Sequence, residues 1–135
     1  DKAAQLIQVK KNHAVDLQIK AMCPELNERY FYEDDTYLIR APESFEGFVR
    51  EGAKLVHCVC SNGYYNGHVK HSSYIFFLRK KSKPNAPFYT IEYHPESNII
   101  RQCYGYRHVR ATDEIDAFTE RWKEQFEMVA MKQAA

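Results

Sequence analysis

A chain of 135 residues, 44% hydrophobic, 14% aromatic and 27% charged, has the size and makeup of one globular domain around one core. Its formal net charge of +1 excludes a global electrostatic attraction to nucleic acid or to an anionic membrane. No apolar run of about 18 residues exists, so no helix spanning a bilayer is expected.

Ten Tyr and eight Phe are many for this length, and aromatics bury large area while keeping a polar tip wet. The four cysteines (Cys23, Cys58, Cys60, Cys103) are scattered, and Asp1-Lys2-Ala3 does not open a signal peptide. Together these read as a reduced, cytoplasmic protein. The start lacks Met and reads as a fragment cut from a longer chain.

Taken in order, residues 3–22 read as a helix. Leu6, Val9, His13 and Leu17 recur at helical spacing, with Ile7, Val15 and Ile19 widening the stripe. Pro24 is expected to end this N-terminal unit, residues 1–24. Tyr30-Phe31-Tyr32 and Thr36-Tyr37-Leu38-Ile39 flank Glu33-Asp34-Asp35 as a small hairpin with a solvated acidic turn. Ser44 is the expected N-cap of a central helix with Phe45, Phe48 and Val49 inward and Gly52 as its stop. Asn62 to Lys70 reads as a second short helix, weakened by Gly63 and Gly67.

Three strands follow: residues 74–80, 88–93 and 99–106, joined by turns as an antiparallel meander. Residues 112–131 form the last helix, with Ile115, Phe118, Trp122, Phe126 and Val129 as its apolar stripe and three acids in its first turn. The expected class is α+β: a three-stranded meander plus a small hairpin in a core of residues 30–111, packed with N-terminal, central and C-terminal helices.

Strand parity brings chemistry together, because alternate side chains share a face. If the last turn pairs Tyr93 with Ile99, Thr90 lies opposite Gln102 and Glu92 opposite Ile100. Arg79 joins the same face if it pairs with Phe88, while a one-residue slip sends it to the other. His57-Cys58 feeds into this sheet. His57, Glu92, Gln102 and Arg79 are therefore the candidate catalytic set, as acid or base, its partner, an orienting amide and an anion clamp. Cys58 is expected to be a buried, inert thiol. Cys58, Cys60, His68 and His71 have the donor types of a zinc site, but C-x-C followed by H-x2-H is not a usual knuckle spacing, so no metal or other cofactor is expected. Lys80, Lys81 and Lys83, with Arg101, are the candidate nucleic-acid-binding residues, tyrosines serving as stacking platforms.

The ordered set Glu51-Gly52-x-x-Leu55-x-His57-Cys58-Val59, then Ile75-x-Phe77-x-Arg79, Thr90-x-Glu92 and Gln102-x-x-Gly105 resembles the C-terminal domain of PcfJ-like proteins over residues 37–122. That family is carried by conjugative plasmids, phages and other bacterial mobile elements. Two positions depart from it: Cys60, where members often have Gly, and His108, near a place where they often have Asn. The resemblance implies a mobile-element origin and a larger parent protein. It supplies no reaction.

Three readings stay open. In the first, the domain is a small enzyme on a nucleotide or nucleic acid, using His57 and Glu92. In the second it is a non-catalytic module that binds nucleic acid, or a host or mobile-element protein, through the basic hairpin. In the third, the HCV, TxE and Gln residues form a buried network that fixes the fold.

Overall fold

The computed structural model describes residues 2–59 and 62–134, with the side chains of residues 4, 5, 7–9, 62 and 127–134 left out of the description. The elements are α1 (Lys2–Tyr30), β1 (Tyr32–Glu33), β2 (Tyr37–Arg40), α2 (Phe45–Leu55), α3 (Asn62–Val69), β3 (Tyr74–Lys80), β4 (Tyr89–His94), β5 (Ile99–Tyr104), a 3-10 turn (Tyr106–His108) and α4 (Asp113–Ala134). The class is α+β, as expected.

The sheet is larger than the expected meander. β1 and β2 are not a separate hairpin, because β2 pairs antiparallel with β3 from Tyr37↔Lys80 to Arg40↔Phe77. The result is one five-stranded antiparallel sheet in the order β1-β2-β3-β4-β5. The reason lies in β3: Ile75, Phe76, Phe77 and Leu78 are all buried, so both faces of this strand are covered and both of its edges must be paired.

α1 also departs from expectation, continuing through Pro24 to Tyr30. Pro24 removes one helical hydrogen bond, but Met22, Leu26 and Tyr30 beyond and around it are core residues, and that packing outweighs the local penalty. The same packing sets the helix's rotation. Val15 and Ile19 are buried, whereas Leu6, Leu17 and His13 are exposed. Of the expected stripe, the Ile7 and Val9 side chains lie outside the described residues. α2 begins at the expected cap, Ser44 Oγ accepting from Gly47 N at 3.1 Å. It runs past Gly52 and stops at Val56, which adopts left-handed backbone with φ 55°. Phe48 is buried, but Val49 is 44% exposed, so the inward face is Phe48, Glu51, Gly52 and Leu55.

Two layers of side chains cover the sheet. On one face, Phe76, Leu78, Ile91 and Tyr93 pack under α4 and the C-terminal half of α1. Ile115, Phe118 and Trp122 of α4 are each 1% exposed or less and Phe126 packs at the edge, while Val129 lies outside the described side chains. On the other face, Ile75 and Phe77 meet Phe48 of α2, Tyr65 of α3 and Val15 and Ile19 of α1.

His68 of α3 belongs to this second layer. It is wholly buried, and its Nδ1 accepts from Ile75 N at 3.0 Å. Only an unprotonated Nδ1 can do that, and burial pushes the imidazole down from 6.5 to about 3, with the nearby His71 charge adding to the effect. The unfolded chain therefore binds a proton that the folded chain does not between about pH 6.5 and pH 3, so stability falls as the pH drops through that window. His68→Gln keeps an acceptor for Ile75 N–H without the titration. It is expected to flatten the dependence of unfolding free energy on pH by up to about 1.4 kcal/mol per pH unit, read from urea unfolding at pH 7, 5.5 and 4.5. An unchanged slope would show that His68 is not the titrating group.

Candidate functional site

The site is built where α2 delivers the chain to the uncovered part of the second sheet face. Val56 is β-branched, and its left-handed backbone is an unfavourable choice for such a residue. It breaks the helix sharply, and His57 N donates back to Gly52 O at 3.1 Å. The His57 ring is thereby turned onto the sheet.

Behind His57 runs a sealed chain of polar contacts. Arg79 is 2% exposed and Glu51 1%. Arg79 Nη1 donates to Glu51 Oε2 at 3.0 Å, and Nη2 to Oε1, a two-pronged ion pair. Thr90 Oγ1 donates to Glu51 Oε2 at 2.7 Å and lies 2.9 Å from His57 Nε2. The hydroxyl has one proton, and a carboxylate can only accept, so the proton goes to Glu51 and Thr90 accepts from His57 Nε2–H. Nδ1 then takes the Val59 N–H, at 3.4 Å. Burial lowers the His57 pKa, the Glu51 charge opposing, so the ring is held neutral with both nitrogens engaged.

The open side is a narrow, half-open cleft whose free interior is about 20 Å³. His57, Glu92 and Gln102 all line it, together with Cys58, Tyr64 and His108. Cys58 is exposed, not buried as expected, since it lies in the loop between α2 and α3 and lines the cleft. Its Sγ lies 3.8 Å from Tyr64 Oη and 3.8 Å from His108 Nε2. The Gln102 amide lies 3.4 to 3.5 Å from Tyr64 Oη. Glu92 Oε2 accepts from Ser73 Oγ at 2.9 Å, and Oε1 is 3.9 Å from Arg101 Nε. His108 and its neighbour Arg107 both have left-handed backbone, φ 63° and 53°.

The polar face assembles by a different register from the one expected. Glu92, not Thr90, is paired with Gln102, and Thr90 is paired with Tyr104. The turn pairs Tyr93 with Ile100, and a bulge between Glu92 and Tyr93 shifts the ladder once more. One such shift would flip the faces, but two restore them. Thr90, Glu92 and Gln102 therefore still share a side. The β3–β4 ladder, Phe77↔Thr90 among its pairs, puts Arg79 on that side too.

Arg79 does not reach the cleft. Its guanidinium is closed against Glu51 and over the Phe77 ring, 4.7 Å from the centroid. The basic set is also divided. Lys80, Lys81 and Lys83 are exposed at the β3–β4 hairpin, Lys81 Nζ 3.5 Å from Glu33 and Lys80 Nζ 4.7 Å from the Phe88 centroid. Arg101 stands at the opposite end of the ladder, on β5 beside Glu92.

Glu51, Tyr64 and His108 were not among the expected site residues. Glu51 had a signal: a carboxylate on the buried face of α2, between Phe48 and Leu55, needs a buried cation, and Arg79 sits in an otherwise apolar strand. His108 was marked only as a departure from the family pattern, and Tyr64 had no signal, since 38 residues separate Tyr64 from Gln102 and 50 separate Cys58 from His108. Among the described residues no group of three His, Cys, Asp or Glu converges as a metal site, and Cys60 of the weighed zinc set lies outside them. No helix among the described residues is long and apolar enough to cross a membrane.

No solved structure matches the chain. It is similar to the uncharacterized protein Lin1253/Lin1744 of Listeria innocua serovar 6a (strain ATCC BAA-680 / CLIP 11262), 25% identical over 122 residues, which are 90% of this chain and 26% of that protein. The chain thus spans about a quarter of that relative's length. The PcfJ-like protein family matches residues 2–119, from α1 through the sheet and the cleft into α4, and the chain belongs to the PcfJ-like family.

Proposed function

We propose that this domain is a small enzyme acting on a nucleotide or nucleic acid, with the cleft beside His57 as its reacting centre. The observation that carries this is the convergence of Glu92, Gln102, Tyr64, Cys58 and His108 on one half-open cleft, backed by a sealed ion-pair chain that keeps its wall rigid. Preorganised groups that can donate, accept and move a proton in one concavity are what a catalytic site requires. A purely structural network would seal all of these groups from solvent, whereas Cys58 and His108 stay exposed.

In this reading the roles differ from a simple His–Glu pair. Glu92, its side chain 14% exposed and its residue paired across the ladder with Gln102, is the acid–base group. Gln102 orients the substrate. His57 is a positioning residue, because Thr90 and Val59 occupy both ring nitrogens. Arg79 neutralises Glu51 and does not clamp an anion. Arg101 and Arg107, both exposed beside the cleft-lining Gln102 and His108, supply charge for a phosphate-bearing substrate. The family resemblance supports a parent protein working in the cytoplasm of a cell that carries a phage or conjugative element.

A specific observation favours a second reading, a binding module. Lys83, Arg50 and residues 84–86 line a shallow groove, and Arg50 Nη2 donates to Asn85 O at 3.0 Å, bracing the hairpin. Nucleic acid, or a protein partner of the host or element, would dock there.

The test is incubation with a panel of nucleotides and short single-stranded DNA and RNA, with products followed by mass spectrometry and contacts by amide chemical shifts. Turnover is expected, with perturbed Tyr64, Gln102 and His108, and Glu92→Gln is expected to slow it by about 10²-fold with the fold retained. Salt-sensitive binding confined to residues 80–86, with no turnover, moves the function to the hairpin. No binding and no turnover sinks both readings.

A further inference from the structure

We infer that Cys58 is the nucleophile of the cleft and that His108 accepts its proton. The inference rests on the enzymatic reading of this cleft and names the group that reacts in it.

Three cysteines lie among the described residues, and their surroundings differ. Cys23 and Cys103 are partly buried, and burial raises both thiols, Cys103 to about 12, which keeps them protonated and inert. Cys58 is exposed. Its sulfur stands 3.8 Å from the Nε2 of His108 and 3.8 Å from the hydroxyl of Tyr64. The reactive form of cysteine is the thiolate, and an imidazole beside the sulfur is the usual means of forming it.

Both members of the pair are held by costly backbone. Val56, two residues before Cys58, and Arg107 and His108 take left-handed conformations, each unfavourable for a side-chain-bearing residue by roughly 1–2 kcal/mol. The surrounding contacts hold them there. His57 is tied through Thr90 to the buried ion pair. Gly105 N donates to Val109 O at 2.9 Å across the loop that carries His108. Gly105 is itself irreplaceable by a larger residue without shifts, since a Cβ there would meet Tyr89 at 3.0 Å and Phe88 O at 3.1 Å. The two histidines divide the work. His57 has no free nitrogen and positions Cys58. His108, exposed with its Nε2 toward the sulfur, is the one able to take the proton.

On a phosphate-bearing substrate the step balances within the cleft. The thiol proton passes from Sγ to His108 Nε2. Sγ then attacks phosphorus, an S–P bond forms, the P–O bond to the leaving group breaks, and the departing oxygen takes the proton from His108. Water attacks phosphorus in a second step, the S–P bond breaks and the thiolate returns, the water's proton going to the phosphate or to Glu92. Tyr64 Oη, 3.8 Å from the sulfur, and the Gln102 amide, 3.4 to 3.5 Å from that hydroxyl, are placed to donate to the phosphoryl oxygens.

The test is iodoacetamide labelling of the folded chain, which needs no substrate. The thiolate sulfur displaces iodide to form an S–C bond, and tandem mass spectrometry separates Cys58 from Cys60, Cys23 and Cys103. Cys58 is expected to be labelled at least tenfold faster than glutathione at the same pH. His108→Gln is expected to remove most of that advantage with the circular dichroism spectrum unchanged, whereas His57→Gln, if it folds, should disturb stability as well as labelling. Cys58→Ser should abolish turnover. Labelling no faster than glutathione, or unchanged by His108→Gln, overturns the inference even if nucleotides are bound or turned over. An activated Cys58 in a chain that turns over no nucleotide or oligonucleotide upholds the nucleophile, while the enzymatic reading on phosphate substrates fails separately.

Discussion

Glu51→Ala is expected to lower the unfolding free energy by about 3–5 kcal/mol, the cost of leaving a buried charge without its partner. Arg79 would remain at 2% exposure with Nη2 stripped of its acceptor and Nη1 left with the Leu78 carbonyl at 3.2 Å, and its Nε already has no hydrogen-bond partner among the described residues. Thr90 would lose the acceptor of its proton, and with it the reason for holding the His57 ring. Urea unfolding measures the loss. The double variant Glu51→Leu/Arg79→Leu tells the cost of breaking the pair from the worth of having it. Removing both charges from an apolar site is expected to recover most of the stability, because desolvation consumes much of what the pair gains. If the double variant is as unstable as the single one, the pair itself stabilises the fold and this account of it fails. A stable double variant still tests function, since Thr90 and His57 would have no anchor and Cys58 would lose its fixed position.

Trp122→Ala is the other large effect, also expected at about 3–5 kcal/mol. Trp122 is 1% exposed and packs its ring 5.2 to 6.4 Å, centroid to centroid, from Phe126, Tyr93, Phe76 and Tyr30. Its Nε1 donates to Tyr30 O at 2.7 Å. That carbonyl belongs to the last residue of α1, where helix ends leave acceptors unsatisfied. One side chain thus fills the core under α4 and caps α1. Trp122→Phe keeps most of the packing and orphans the carbonyl, so a loss of about 1–3 kcal/mol is expected. Thermal unfolding of the two variants separates the contributions. Equal losses would mean that the hydrogen bond, not the ring volume, carries the effect.

Much of this architecture is legible in the residue order. The i, i+3, i+4 stripe of α4 and the N-cap Ser44 are local signals. The structure adds a second cap, Ile115 N donating to Thr112 Oγ1 at 3.3 Å. Strand β3 has the expected ends, because a β-branched and aromatic run between polar turns has one stable conformation in a folded chain. The side of the sheet that carries Thr90, Glu92 and Gln102 follows from a period of two, and survives two compensating shifts of register.

What failed was decided at a distance. Pro24 ends helices by a local clash, but α1 runs through it because Leu26 and Tyr30 find the core of a sheet that begins at residue 32. Gly52 looked like a stop, but α2 must carry Glu51 and Leu55 inward together, and the break falls at Val56. The cleft shows the same division. His57, Glu92 and Gln102 can be grouped from the chain because strand parity and a short approach segment connect them. Tyr64 and His108 join them only when α3 and the loop after β5 fold over the sheet. Residue order sets which groups share a strand face or a helix face, through the fixed periods of 2.0 and 3.6. Which faces then meet depends on burying the most apolar area with every charge paired, and only the whole folded chain decides that.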